Sequence, residues 1–143
     1  MEPVKLLAIF AENKTGQLAR VTGLLAQAGL NIRWVTIASG TGSFGVIKLL
    51  VDDCSIAFQQ LKHNGLPVSI LDVLAIEVAD KPGGLNAVSQ CLADNHINVE
   101  NASGFVSNGR AVLLIELKEL AHAHAILQKH GWRLLSAAET LKL

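Results

Sequence analysis

Asn13–Ile32, NKTGQLARVTGLLAQAGLNI, and Asp80–Val99, DKPGGLNAVSQCLADNHINV, are two versions of one segment set 67 residues apart. Lys14/Lys81, Gly16/Gly83, Leu18/Leu85, Val21/Val88, Leu25/Leu92, Ala26/Ala93 and Asn31/Asn98 are identical. That makes seven matches in twenty positions, where average composition gives roughly one or two. A looser likeness continues through Ala38-Ser-Gly against Ala102-Ser-Gly and Gly65 against Gly131. The chain is an internal duplication, and its fold is the fold of one half, twice.

Working outward, each half reads alike. Leu6–Phe10 and Val73–Val78 are apolar runs of strand length. Leu18, Val21, Leu25 and Ala28 recur at helical spacing, as do Leu85, Val88 and Leu92, and Gly29 suits a helix end. Ile32–Ala38 is a β-branched strand candidate, and Ser39–Ser43 is a Gly/Ser turn leading to the apolar strand Val46–Val51. Asp53 or Ser55 can cap a helix ending at Gly65, after which Pro67–Asp72 closes the half. In the second half the matching pieces are Val99–Ala102, Val112–Leu117, a helix from Glu119 to His130, and Arg133–Ala137. The expected architecture is therefore α+β. It consists of two tandem ferredoxin-like βαββαβ domains, residues 1–71 and 72–143, each an antiparallel sheet with its helices on one face. Right-handed crossovers put strands one and three in the middle of each sheet. Ile47, Leu49 and Val51 alternate with Val46 and Leu50, so both faces of that strand are apolar. The face without helices then expects a second sheet.

Composition narrows the function. Of 143 residues half are hydrophobic and 17% charged, with 12 basic against 12 acidic, so no general field draws nucleic acid or an anionic membrane. Aromatics at 4% leave no stacking platform for RNA. The apolar start near Leu6–Phe10 is too short to span a bilayer and lacks the marks of a secretory signal, which points to the cytoplasm. Cys54 and Cys91 make neither a disulfide framework nor a metal knuckle and read as reduced residues.

The best-repeated piece is a turn at a helix start, Asn13-Lys-Thr-Gly-Gln-Leu and Asp80-Lys-Pro-Gly-Gly-Leu. Two readings are open. Asn13 and Asp80 can be N-caps, with Pro82 at an early helical position. Alternatively, Gly16 and Gly83 let the backbone approach a ligand whose carboxylate or phosphate meets the unpaired first amides of the helix.

These residues resemble the ACT domain. The D/N-x-P/T-G-x-L turn follows strand one and leads into an amphipathic helix, then into Gly-Leu-Asn-Ile or His-Ile-Asn-Val. The resemblance covers nearly the whole chain as two such domains with no catalytic domain attached. It implies a regulatory protein, not an enzyme, that binds an amino acid or related small molecule at interfaces between domains. By the same resemblance, the ligand-binding residues are Asn13, Thr15, Gly16, Gln17, Leu18, Asn31 and Ile32 in the first half. Asp80, Pro82, Gly83, Gly84, Leu85, Asn98 and Val99 match them in the second. Strands one and two run parallel, so turn and asparagine sit at opposite ends of one half. An antiparallel alignment of two halves along strand two would bring the Gly16 turn to Asn98 and the Gly83 turn to Asn31. Asp80 against Asn13, Gln17 against Gly84, Arg33 against Glu100 and Thr15 in place of the proline at 82 make the two turns unequal.

Other features carry less. His122 and His124 do not share a helix face, so they are no metal pair, and no metal or cofactor is expected. No nucleophile or acid–base constellation argues for a small enzyme on this frame. Trp34 is a core or interface residue. High hydrophobicity and the small size of each half point to a homodimer or larger assembly. The competing reading is a structural or partner-binding module with vestigial clefts.

Overall fold

Alternation and helical periodicity lay down twelve elements among the described residues. The computed structural model describes residues 2–40 and 42–143. Thr41 of the Ser39–Ser43 turn lies outside them. Contacts divide the chain into two modules, residues 5–71 and residues 72–143, with Pro3 and Val4 clustering with the second.

The N-terminal module holds β1 (Val4–Glu12), α1 (Gln17–Gln27), β2 (Ile32–Ser39), β3 (Phe44–Val51), α2 (Cys54–His63) and the start of β4 (Val68–Val78). Its strand order is β2-β3-β1-β4, with strands three and one central as the crossover rule requires. Leu7, Ile9, Ile47, Leu49 and Val51 project from one side of the sheet into the core and meet Val21 and Leu25 of α1 and Ala57 and Leu61 of α2. Each fully buried side chain of this size contributes about 1.5–3 kcal/mol. A register shift between Ile32 and Trp34 turns Ile32 back toward the same core. Asp53 caps α2, accepting a 3.0 Å hydrogen bond from the Ile56 amide. On the opposite side of the sheet, Phe10 and Phe44 stack at 5.1 Å and stay about half exposed. Val46 and Leu50 flank Lys48 on that face, and Trp34 is half-buried.

The C-terminal module holds the rest of β4, then α3 (Gly84–Asp94), β5 (Asn101–Ser107), β6 (Arg110–Glu116), α4 (Leu120–Lys129), β7 (Arg133–Leu135) and α5 (Ala137–Leu141). Its order is β5-β6-β4-β7. Leu74, Ile76, Leu113 and Ile115 pack against Val88 and Leu92 of α3 and Ala123 and Leu127 of α4. Val99 and Trp132 lean on this core.

Four differences from the sequence reading stand out. The closing strand of the first half and the opening strand of the second are one strand, β4, since nothing between Pro67 and Val78 breaks extended backbone. Strand two of the second half starts at Asn101, so Asn98 precedes it by three residues. The end of the chain turns into a helix after Leu135, because Ser136 and Glu139 form a reciprocal capping box. Finally, Asn13 and Asp80 are not N-caps. Gly16 and Gly83 occupy that position in left-handed backbone, at φ +90° and +87°, without a side-chain cap, and Pro82 stands before the helix.

The four long helices end in one way. The amides of Leu30, Leu66, Ile97 and Trp132 reach back to the carbonyls of Leu25, Leu61, Leu92 and Leu127 at 2.9–3.1 Å. Glycine fills the left-handed position before each apolar residue except in α3, where His96 holds φ +57°. A side chain there costs about 1–2 kcal/mol.

Candidate ligand site at the glycine turns

After β1 the chain turns at once. The Asn13 amide donates to the Ser43 carbonyl at 2.6 Å, Lys14 N to Glu12 O at 3.0 Å, and Gln17 N to Lys14 O at 3.3 Å. The Asn13 side chain donates to Ser39 Oγ at 3.1 Å, tying the turn to the end of β2. Helical bonding starts with Arg20 N to Gly16 O at 2.9 Å, so the amides of Leu18 and Ala19 find no acceptor among the described residues. Beside them lies a cleft of about 80 Å³. Its floor is Ala11, Ile37, Gly45 and Ile47, and its rim is Glu12, Asn13, Lys14, Gln17 and Leu18. Lys14 and Glu12 form an exposed ion pair at 3.2 Å. Unpaired amides at a helix start suit a carboxylate, and an apolar floor suits a short aliphatic chain.

The candidate residues fall into separate groups. Asn13, Gln17 and Leu18 line this cleft, while Thr15 and Gly16 shape the turn and are exposed. Asn31 lies at the other end of the module. Its amide donates to Asp52 Oδ1 at 3.1 Å and its carbonyl accepts from Asp52 N at 3.2 Å. Ile32 packs against the core. In the C-terminal module Asp80, Pro82 and Gly83 are exposed in the turn, Leu85 is 57% exposed, and Gly84 is buried. Asn98 borders a different cleft, of about 300 Å³, with His96, Ile97, Glu100 and Leu117 to Glu119. Neither module brings its own turn and asparagine together.

Pairing along strand two is the other requirement. β2 ladders onto β3, and β5 onto β6. Each is the end strand of its module and keeps an open edge. Val35 and Ile37 on β2 and Val106 on β5 are exposed beside those edges.

A polar cluster escaped the sequence reading. Arg110 donates two hydrogen bonds to Glu77, at 3.1 and 2.7 Å, and Arg133 reaches the same carboxylate at 2.9 Å and Glu139 at 3.6 Å. Its members come from β4, β6, β7 and α5, so no local spacing announces it, although Ser136-Ala-Ala-Glu139 is a legible capping box. The Arg110 hydrogen bonds, with help from the charges of Arg110 and Arg133, hold Glu77 below its ordinary value of 4.5 against the effect of burial. The Ser136 amide does the same for Glu139. Carboxylates with lowered folded-state pKa add stability that is complete above the unfolded value and lost as pH falls. Glu77→Gln should therefore melt below the unmodified protein at pH 7, with the gap closing as pH drops below 4.5. Thermal melts across pH 3 to 7 (about that span) read this directly. A gap unchanged by acid would show the network contributes nothing through charge.

The chain matches the family described as ACT domain pair over residues 2–139. It belongs to the ACT domain pair family. Among solved structures, protein BT0572 from Bacteroides thetaiotaomicron is 32% identical with TM-score 0.92, over 99% of this chain and 97% of that one. The ligand-free regulatory subunit of aspartate kinase from Thermus thermophilus is similar in fold. It has 17% identity and TM-score 0.65 over 90% of this chain and 93% of that one. Aspartate kinase from Synechocystis shares the fold at 14% identity and TM-score 0.57, over 89% of this ACT pair and 25% of the kinase chain. No curated protein matches. Among the described residues, no helix of the ACT pair is long and apolar enough to cross a membrane.

Proposed function

We propose that this ACT pair is a non-catalytic regulatory protein of the cytoplasm that senses an amino acid with a short aliphatic side chain. The reading rests on the cleft at the Gly16 turn, which is lined by Leu18, whose helix-start amide is unpaired among the described residues, and by the apolar side chains of Ile37 and Ile47. The ligand carboxylate takes that amide, and its side chain takes the floor. Its ammonium requires acceptors. An asparagine of the segment leading into strand two, Asn31 or Asn98, can supply one from a second chain, because β2 and β5 keep open edges and no module completes the pair itself. The same edges, flanked by exposed Val35, Ile37 and Val106, support a homodimer. The resemblance to a regulatory subunit of aspartate kinase supports the regulatory role.

The test is a thermal-shift screen of the twenty proteinogenic amino acids. Ligand at 100 times its Kd adds about 2.7 kcal/mol. At roughly 2–4 °C per kcal/mol, the melting midpoint should rise by several degrees. Small aliphatic amino acids should head the ranking. No shift with any of the twenty would sink amino-acid sensing and leave a partner-binding module. Light scattering at micromolar concentration should show more than the 15.2 kDa of a single chain.

A further inference from the structure

The duplication doubles the glycine turn, but the two copies are not equally open. We propose that one ligand binds per chain, at the Gly16 turn, and that Gly84 closes the corresponding turn in the C-terminal module. The inference rests on the amino-acid-sensing reading above and says where that sensing happens.

Gln17 and Gly84 are equivalent, each the first residue of its helix. Gln17 is half-exposed and lends its side chain to the wall of the cleft, so strand end and helix start stand apart there. Gly84 is buried, and a Cβ at its position would land on the carbonyl oxygen and carbon of Ala79. Ala79 is the equivalent of Glu12, which rims the N-terminal cleft. Where one module has room for a whole glutamine side chain, the other has none for a methyl group. The Ala79 carbonyl also turns a partial negative charge toward the helix start, where a ligand carboxylate would have to come. The floor differs as well. Ile37 faces Ile47 across the ladder, whereas the matching position facing Leu113 is Gly104, which offers no side chain to a ligand. Contact and floor both favour the first turn.

A matched pair of variants of the full chain decides the matter. Leu18 and Leu85 are equivalent second residues of their helices, 40% and 57% exposed. Glutamate suits a helix N-terminus, so Leu18→Glu and Leu85→Glu should both fold. Each places a negative charge where a carboxylate ligand would bind. The probes are those of the twenty amino acids that raise the melting midpoint, titrated one at a time by calorimetry. Expected are one amino acid per chain, a loss of about tenfold or more in affinity for Leu18→Glu, and less than about a twofold change for Leu85→Glu. Two amino acids per chain, or an equal loss in Leu85→Glu, would overturn the single-turn assignment while leaving amino-acid sensing intact. Silence from all twenty would instead remove the sensing function and the assignment with it.

Discussion

Gly84→Ala should destabilise the protein by about 3 kcal/mol or more, the upper end of overpacking effects. The added methyl has no flexible neighbour to displace, since the atoms in its way are the backbone oxygen and carbon of Ala79. Relief requires the end of β4 and the start of α3 to separate, and both are tied into the core through Ile76 and Val88. Gly84 has ordinary helical backbone, so the effect is steric and helix propensity would by itself favour alanine. The control is Gln17→Ala at the equivalent position, expected to stay within about 0.5 kcal/mol. Urea unfolding of the two variants gives the comparison, with an unchanged m-value marking a pure stability effect. Equal midpoints would show that the turn yields easily, and the closure of the C-terminal turn would then lose its basis.

Leu127→Ala should cost about 3–5 kcal/mol, and so lower the melting midpoint by roughly 6–20 °C. Leu127 is fully buried among Leu74, Ile115 and Ala123. Its carbonyl also receives the Trp132 amide at 3.0 Å, and truncation leaves that bond in place. The loss is therefore one of packing alone. Leu25, Leu61 and Leu92 occupy the same place in the other long helices, and all three are almost wholly buried. A small effect at Leu127, under about 1 kcal/mol, would show that the cavity collapses and that the shared helix ending is the stronger anchor.

Much of this was readable from residue order. The duplication, the helical stripes through Val21, Leu25, Val88 and Leu92, and the glycines after three helices follow from short-range rules, and the fold obeys them. The failures have particular causes. Pro67–Asp72 and Val73–Val78 were each extended, but nothing in either run says that they are one strand. Asn13 has the chemistry of a cap yet spends its side chain on Ser39, twenty-six residues away. At Ser136 the capping box is written in the sequence, but Leu134-Leu135 before it carries the strand reading of Arg133–Ala137 past the true helix start. The glycine turn could be picked out as a candidate because it recurs, but its two copies could not be ranked. That ranking depends on the distance between Ala79 and Gly84, which hydrophobic periodicity does not encode.

The open edge of β2 has a practical consequence. Unpaired strand backbone beside exposed Val35 and Ile37 is a template for misassembly, and Arg33 is the only charge in the strand. If a second chain normally covers that edge, dilution harms the protein instead of protecting it. Fewer encounters strip away the proper neighbour and leave the strand open to whatever unfolded chain arrives first. A gatekeeper lysine in place of Ile37 would then trade assembly for shelf life.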